Sequence, residues 1–328
     1  MDPGQFLRAS RVVIVAGKGG VGKTTVAAAL ARMAAREGLS ALVVQVERSS
    51  GLAGLFGRPP LTYVESMLAP AAGTVGEVRG RTITPDDALL EYLEDHGLRR
   101  ISRRLVSTGA MDVVSTAAPG IKDILILGKV KALERSGAAD LIVIDAPAAG
   151  HAITFLLSVR GLLDAVRVGP INAQARDVLD LLTDPARCSV VLVTLAEETP
   201  INELVETAFT LEDRVGVSLG PVVVNGVYPE LPGLDTPPDD AAAAAGVILR
   251  PGDEAGLAEA AAFRRQRHDL QRAQLDRLSE MLPIPQLSLP FVFAATLGPG
   301  HVDHLADALR DEVAGLAEPS RTTEETLP

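Results

Sequence analysis

Several short runs in this chain are almost wholly apolar rather than alternating, and they restrict the folds open to it. They are Arg11–Ala16, Ala41–Val46, Leu141–Ile144, Val190–Val193 and Pro221–Val224, with Gln286–Leu289 a weaker one. A strand with one wet face alternates apolar and polar residues. A strand apolar throughout needs cover on both faces, as in a parallel sheet between two helical layers. Helical periodicity falls between the runs, at Thr24–Arg36, Ile121–Arg135, His151–Leu163, Ile201–Arg214 and Val302–Val313. Strand alternating with helix predicts an α/β protein with a doubly wound, mostly parallel sheet.

Two longer stretches break this rhythm. Residues 61–135 carry helical patterns at Asp86–Glu94 and Leu98–Val106. Residues 228–282 open with a Pro/Asp/Ala-rich segment, Pro229–Gly252, which reads as a mobile loop. A charged helix follows from Glu254 to about Met281, a solvated face with an apolar stripe and no catalytic role expected of it. Together the two inserts predict a helical subdomain mounted on the sheet. Residues 1–316 are therefore read as a single domain with inserts at 61–135 and 228–282, and 317–328 as a flexible tail.

Composition excludes several functions. Hydrophobic residues make up 47% of the 328, enough for a large core, and 31 Lys+Arg stand against 42 Asp+Glu for a net charge of −11. Nucleic-acid binding needs basic surface to displace counterions, so no nucleic-acid partner is expected. Cys188 is the only cysteine and lies beside Ser189-Val190-Val191. A disulfide within the chain is impossible, as is a multi-cysteine metal or iron–sulfur site, and Cys188 reads as a small buried hydrophobe. The apolar run after Arg11 is too short for a signal sequence, and none reaches the ~18 residues of a membrane helix. A cytoplasmic protein without a membrane anchor is expected.

Gly17-Lys18-Gly19-Gly20-Val21-Gly22-Lys23-Thr24 fits G-x-x-x-x-G-K-[ST] between a strand and a helix. In such a loop backbone N–H groups converge on a phosphate where no Cβ interferes, and the helix dipole adds positive potential. Lys23 would reach the β- and γ-phosphates, Thr24 would place its hydroxyl on Mg²⁺, and Thr25 is a candidate for the α-phosphate. Two of the chain's five lysines, Lys18 and Lys23, lie in this loop. Lys18 is not required by the motif. It is either an exposed loop lysine or one that crosses a dimer to the partner's phosphates, as an arginine finger does in trans.

Asp145 closes the apolar run Leu141–Ile144 and begins Asp145-Ala146-Pro147-Ala148-Ala149-Gly150-His151. A carboxylate there can hold the metal through water opposite Thr24, and the Pro and Gly after it permit a loop that responds to the γ-phosphate. His151 reads as part of that loop rather than as an acid–base group. Asn225 ends Val222-Val223-Val224. Its amide suits the edge of adenine, and a turn at Asn225-Gly226 explains it equally well.

These residues resemble the ArsA/guided-entry family of ATPases, within the deviant Walker class of P-loop proteins that includes MinD and ParA. Lys18–Thr25 is similar to the class loop with its signature lysine, and Asp145–His151 to the family's D-T-A-P-T-G-H switch II. Ile83–Tyr92 resembles I-D-P-x-x-A-x-x-E-Y, Ala118–Asp123 resembles P-G-I-x-E, and Asn225 falls where the family contacts adenine. The actinobacterial ArsA-like ATPases, which come as paralogous pairs, are the most similar group. The resemblance implies MgATP hydrolysis by a homodimer or a heterodimer with a paralogous ATPase. It also implies a helical subdomain that opens and closes on a protein client, whose identity the sequence does not give.

Three departures qualify it. Where the family's switch I reads D-P-A-H, this chain reads Val46-Glu47-Arg48-Ser49. Glu47 would then have to position the attacking water with one more methylene; actinobacterial members resemble this sequence in carrying Glu there, so hydrolysis is expected, and expected to be slow. The arsenite-site cysteines and the C-x-x-C zinc clasp are both absent, so neither arsenite nor zinc binding is expected. Two other readings remain at this level. One is a MinD/ParA-like positioning ATPase, disfavoured by the acidic charge and by a tail whose single basic residue is Arg321. The other is a weakly hydrolysing regulatory subunit of a heteromer.

Overall fold

The computed structural model of the protein describes residues 1–46, 51–95, 97, 120–147 and 149–317. Glu47, the Leu98–Val106 helix expectation and Ala118-Pro119 fall outside them. A single eight-stranded sheet forms the core. Its strands in chain order are β1 (Val12–Gly17), β2 (Ala41–Gln45), β3 (Ser66–Ala69), β4 (Val78–Thr82), β5 (Leu141–Asp145), β6 (Cys188–Leu195), β7 (Val222–Val227) and β8 (Gln286–Pro290). The order across the sheet is β3-β4-β2-β5-β1-β6-β7-β8, parallel throughout except for β3, which runs against β4. The expected α/β architecture is therefore present, with every apolar run of the sequence in the sheet.

Burial explains why those runs are unbroken. In β1, Val12, Ile14 and Ala16 join one core cluster and Val13 and Val15 the other. The same division holds for Leu42 and Val44 against Ala41 and Val43, and for Ile142 and Ile144 against Leu141 and Val143. One layer holds α2 (Lys23–Arg36) and the late helix Pro299–Gly315, which pack together. The buried face of α2 is largely alanine, with Val26, Leu30 and Met33 as its larger members. Small side chains let that helix sit close to the strands. The other layer holds Ile121–Arg135, Ala149–Ala165, Pro170–Thr183 and Glu198–Val215.

In chain order the helices are α1 (Pro3–Arg8), α2, α3 (Gly51–Leu55), α4 (Pro85–Asp95), α5 (Ile121–Arg135), α6 (Ala149–Ala165), α7 (Pro170–Thr183), α8 (Glu198–Val215), α9 (Pro238–Ala245), α10 (Asp253–Met281) and α11 (Pro299–Gly315). Besides the short helices α1 and α3, several elements differ from the sequence reading. Pro229–Gly252, expected as a mobile loop, carries α9, with Pro238 in its first turn and Gly246 at φ +68° ending it. Its alanine run is the strongest of helix formers. Residues 61–135 also contain β3 and β4, which extend the main sheet. Helix α7 was not expected, although Ala175, Val178, Leu181 and Leu182 bury one face of it.

Candidate nucleotide site

The glycine loop leaves β1 at the C-terminal edge of the sheet and turns into α2 on one face. The segment after β5 turns into α6 on the other face. Neighbouring parallel strands that send their helices to opposite faces open a crevice at their ends, where α/β proteins bind ligands. Two glycines of the loop are demanded by this crowding. Gly17 has φ +154°, and a Cβ there would stand 2.2 Å from the Val193 carbonyl oxygen of β6. Gly22 has φ +92°, and its Cβ would meet the Asn225 amide at 2.2 Å.

The reactive side chains converge in the same crevice. Lys23 is 9% exposed, and its ammonium donates to the Lys18 carbonyl at 3.1 Å, closing the loop on itself. The Thr24 hydroxyl donates to Asp145 Oδ2 at 2.8 Å, and Asp145 is 7% exposed. That bond spans 121 residues and joins the start of α2 to the end of β5. Both oxygens are hard donors of the kind Mg²⁺ prefers, and a loop leading to phosphates is beside them. Thr24 and Asp145 therefore fit the ion. Gly19, Gly20 and Val21 lie in the turn itself, Val21 being buried. His151 falls in the first turn of α6.

Lys18 behaves differently from Lys23. Its ammonium leaves the loop for Glu203 of α8 at 2.5 Å, with the two side chains 37% and 42% exposed. An ion pair so exposed to water contributes about 0–1 kcal/mol. Lys18 is held there weakly.

Asn225 lies within β7 opposite Leu195 of β6, so it is a strand residue rather than the first residue of a turn. Its amide donates to the Val21 carbonyl at 2.9 Å, tying strand to loop. Beside it a cleft of about 370 Å³ runs from Gly20 and Thr25 past Asn225 and Gly226 to Tyr228 and Phe291. Arg267 and Gln271 of α10 complete its wall, so the helix expected to be a bystander reaches the site. Gln271, Leu275, Leu278 and Leu282 fall at helical spacing on the packed side of α10. A glutamine on an apolar stripe was the signal that could have found it. Tyr228, Phe291 and Phe293, mutually in contact, are three of the chain's ten Phe and Tyr residues.

A larger hollow, about 650 Å³, opens at the opposite edge of the sheet between Phe6, Leu7, Pro185, Leu219, Ile284 and Leu316. No charged side chain lines it, so phosphate chemistry belongs to the other edge. Cys188 is fully buried, and desolvation pushes its thiol up to about 12, which leaves it neutral and inert. Among the described residues no group of three His, Cys, Asp or Glu side chains could hold a metal, and no helix is long and apolar enough to cross a membrane.

A glycine loop between β1 and α2, with the Asp145 strand end bonded to its threonine, defines a P-loop nucleoside triphosphatase fold. The chain belongs to the ArsA family of anion-transporting ATPases, whose profile matches residues 10–168. It is 34% identical over 304 residues to the ATPase BagA of Mycobacterium tuberculosis, covering 86% of this chain and 87% of that one. A putative arsenical pump-driving ATPase of Halobacterium salinarum is 28% identical over 242 residues, 67% of this chain and 36% of that protein. The ATPase get3 of Schizosaccharomyces japonicus is 28% identical over 144 residues, 44% and 42% of the two chains. This chain is accordingly an ATPase.

Proposed function

We propose that the chain works as a MgATP-hydrolysing dimer that couples nucleotide state to a helical subdomain handling a protein client. The observation that carries the nucleotide part is the 2.8 Å bond from Thr24 to Asp145, which joins two distant motifs at one point of the crevice. In this reading Lys23 binds the β- and γ-phosphates, Thr24 ligates Mg²⁺, and Asp145 holds it through water. When bound, the ion would supply positive charge to offset the negative charge that develops on the phosphates. The loop from Gly17 to Gly22 cradles phosphate with its amides, Thr25 meets the α-phosphate, and Asn225 borders the base. Glu47 positions the attacking water, and Lys18 is donated by the partner chain. Support for protein contacts comes from the second insert, where exposed Val247 and Leu257 line one open hollow with Leu234, Leu249 and Ala261. Apolar side chains gathered on a surface mark interaction sites.

Two experiments bear on this reading. Turnover of ATP by the isolated chain should require Mg²⁺ and vanish in EDTA, with no stoichiometric zinc in elemental analysis. Turnover that survives the chelator, or zinc at one equivalent, would contradict it, and no turnover at all would favour a regulatory subunit. Glu47→Gln should keep ATP binding and slow turnover by ~10²–10⁴-fold, the usual contribution of a group that handles the nucleophile's proton. A variant that hydrolyses at the wild-type rate would assign the water to another residue.

A further inference from the structure

Gln271 has no task in the mechanism above, yet it is 5% exposed on a helix whose first eight residues, Asp253–Ala260, are all exposed. A primary amide is costly to bury unless both its ends are bonded. Here Oε1 accepts from the Tyr228 N–H at 2.7 Å, and Nε2 donates to the Gly226 carbonyl at 3.1 Å. Those backbone groups need a side-chain partner because the β7–β8 register shifts between Val224 and Val227, where Gly226 takes φ +70°. The irregular strand end faces α10, and one glutamine satisfies it.

The bulge also sets the cleft. Tyr228 stacks on Phe291 with centroids 4.9 Å apart and planes 6° from parallel, and the Arg264 guanidinium lies 4.3 Å from the Tyr228 centroid. Gly226, Tyr228, Phe291 and Gln271 all line the cleft that begins at Gly20 and Thr25. The triphosphate end of a nucleotide lies at the glycine loop, so its base falls toward this wall. We infer that Gln271 is the positioning residue for the base: it fixes the Gly226–Tyr228 bulge and thereby the aromatic wall that a purine packs against. This rests on the nucleotide reading above and adds a division of labour. The loop binds phosphate, and α10 sets how much the base contributes.

The test compares MgATP with magnesium tripolyphosphate, which has the phosphates and no base, binding to the full chain by calorimetry. Gln271→Met keeps the volume and removes both bonds. It should lower ATP affinity about tenfold, the scale of a lost base–aromatic contact, and leave tripolyphosphate affinity unchanged. Gln271→Glu, which keeps the acceptor for Tyr228, should fall between, and it carries the comparison if Gln271→Met does not fold. Arg272→Gln, exposed on the same helix, should change neither ligand. An unchanged ratio of the two affinities, or a fall in both together, overturns the inference while leaving the nucleotide site standing. Failure of the wild-type chain to bind either ligand overturns the nucleotide reading and this inference with it.

Discussion

The Lys23→Ala protein is expected to stay folded and to lose ATP affinity by a factor of ~10² or more. Lys23 begins α2, where the neighbouring buried residues are mostly alanines, so truncation to alanine suits the helix. Its ammonium makes a 3.1 Å bond to the Lys18 carbonyl, at the loop's own rim. Beside a triphosphate that ammonium would answer charged oxygens, at ~1.5–3 kcal/mol for each hydrogen bond to a charged group. Two such bonds correspond to ~10²–10⁴ in affinity. The alternative cation, Lys18, points out of its own loop toward Glu203 of α8, away from where Lys23 sits. Calorimetry should detect no ATP binding at concentrations that saturate the wild type, with unchanged circular dichroism showing the fold intact. Wild-type affinity in the variant would remove the phosphate site from this loop.

What the sequence disclosed and concealed follows from how each residue is buried. Strands β1, β2 and β5 are enclosed on both faces, so all their positions up to the C-terminal ends of β2 and β5, Gln45 and Asp145, are apolar or glycine and the runs stood out. Strand β4, Val78-Arg79-Gly80-Arg81-Thr82, is no less part of the sheet and was not legible. A Cβ at Gly80 would stand 2.7 Å from a Leu68 methyl, so glycine replaces the expected hydrophobe. Arg81 is buried with its guanidinium 4.4 Å from the Tyr63 centroid, and desolvation holds its pKa below the usual arginine value. Such compensation involves partners that no local pattern reveals. The glycine loop and Asp145 were legible because their chemistry is written in short motifs. Of the cleft beside the loop only Asn225 was legible; the rest was not, because it is assembled from Gly226–Tyr228, Arg267–Gln271 and Phe291, three segments brought together by the β7–β8 pairing and α10. Helix α10 misled in the same way, since its exposed N-terminal third and its many charges hid a C-terminal half that packs against α8 and holds the end of β7 through Gln271.

The prediction with the widest consequence concerns Lys18, because it tests the dimer as well as the residue. Lys18→Ala and Lys23→Ala proteins should each be inactive alone, and mixing them should restore activity. If Lys18 acts across an interface, a mixed dimer contains one complete site: ATP held by Lys23 of the Lys18→Ala chain, with Lys18 given by the Lys23→Ala chain. If Lys18 acts within its own chain, no mixed dimer has a complete site and the mixture stays dead. The structure makes the first outcome physically reasonable. Lys18 rests on Glu203 in an ion pair exposed to water, worth about 1 kcal/mol at most, so a partner's triphosphate with its several negative charges would displace the carboxylate. A lysine pointing into its own loop would make the opposite case, and that description fits Lys23 alone of the two. Random exchange of equal amounts puts half of all dimers in the mixed form, each with one working site of two. The mixture should then recover about a quarter of wild-type turnover if the two sites are independent. Co-expression with different tags, followed by purification through both, isolates the mixed dimer and raises the expected figure to about half. A doubly tagged dimer that binds ATP and does not turn it over would rule out donation of Lys18 between copies of this chain.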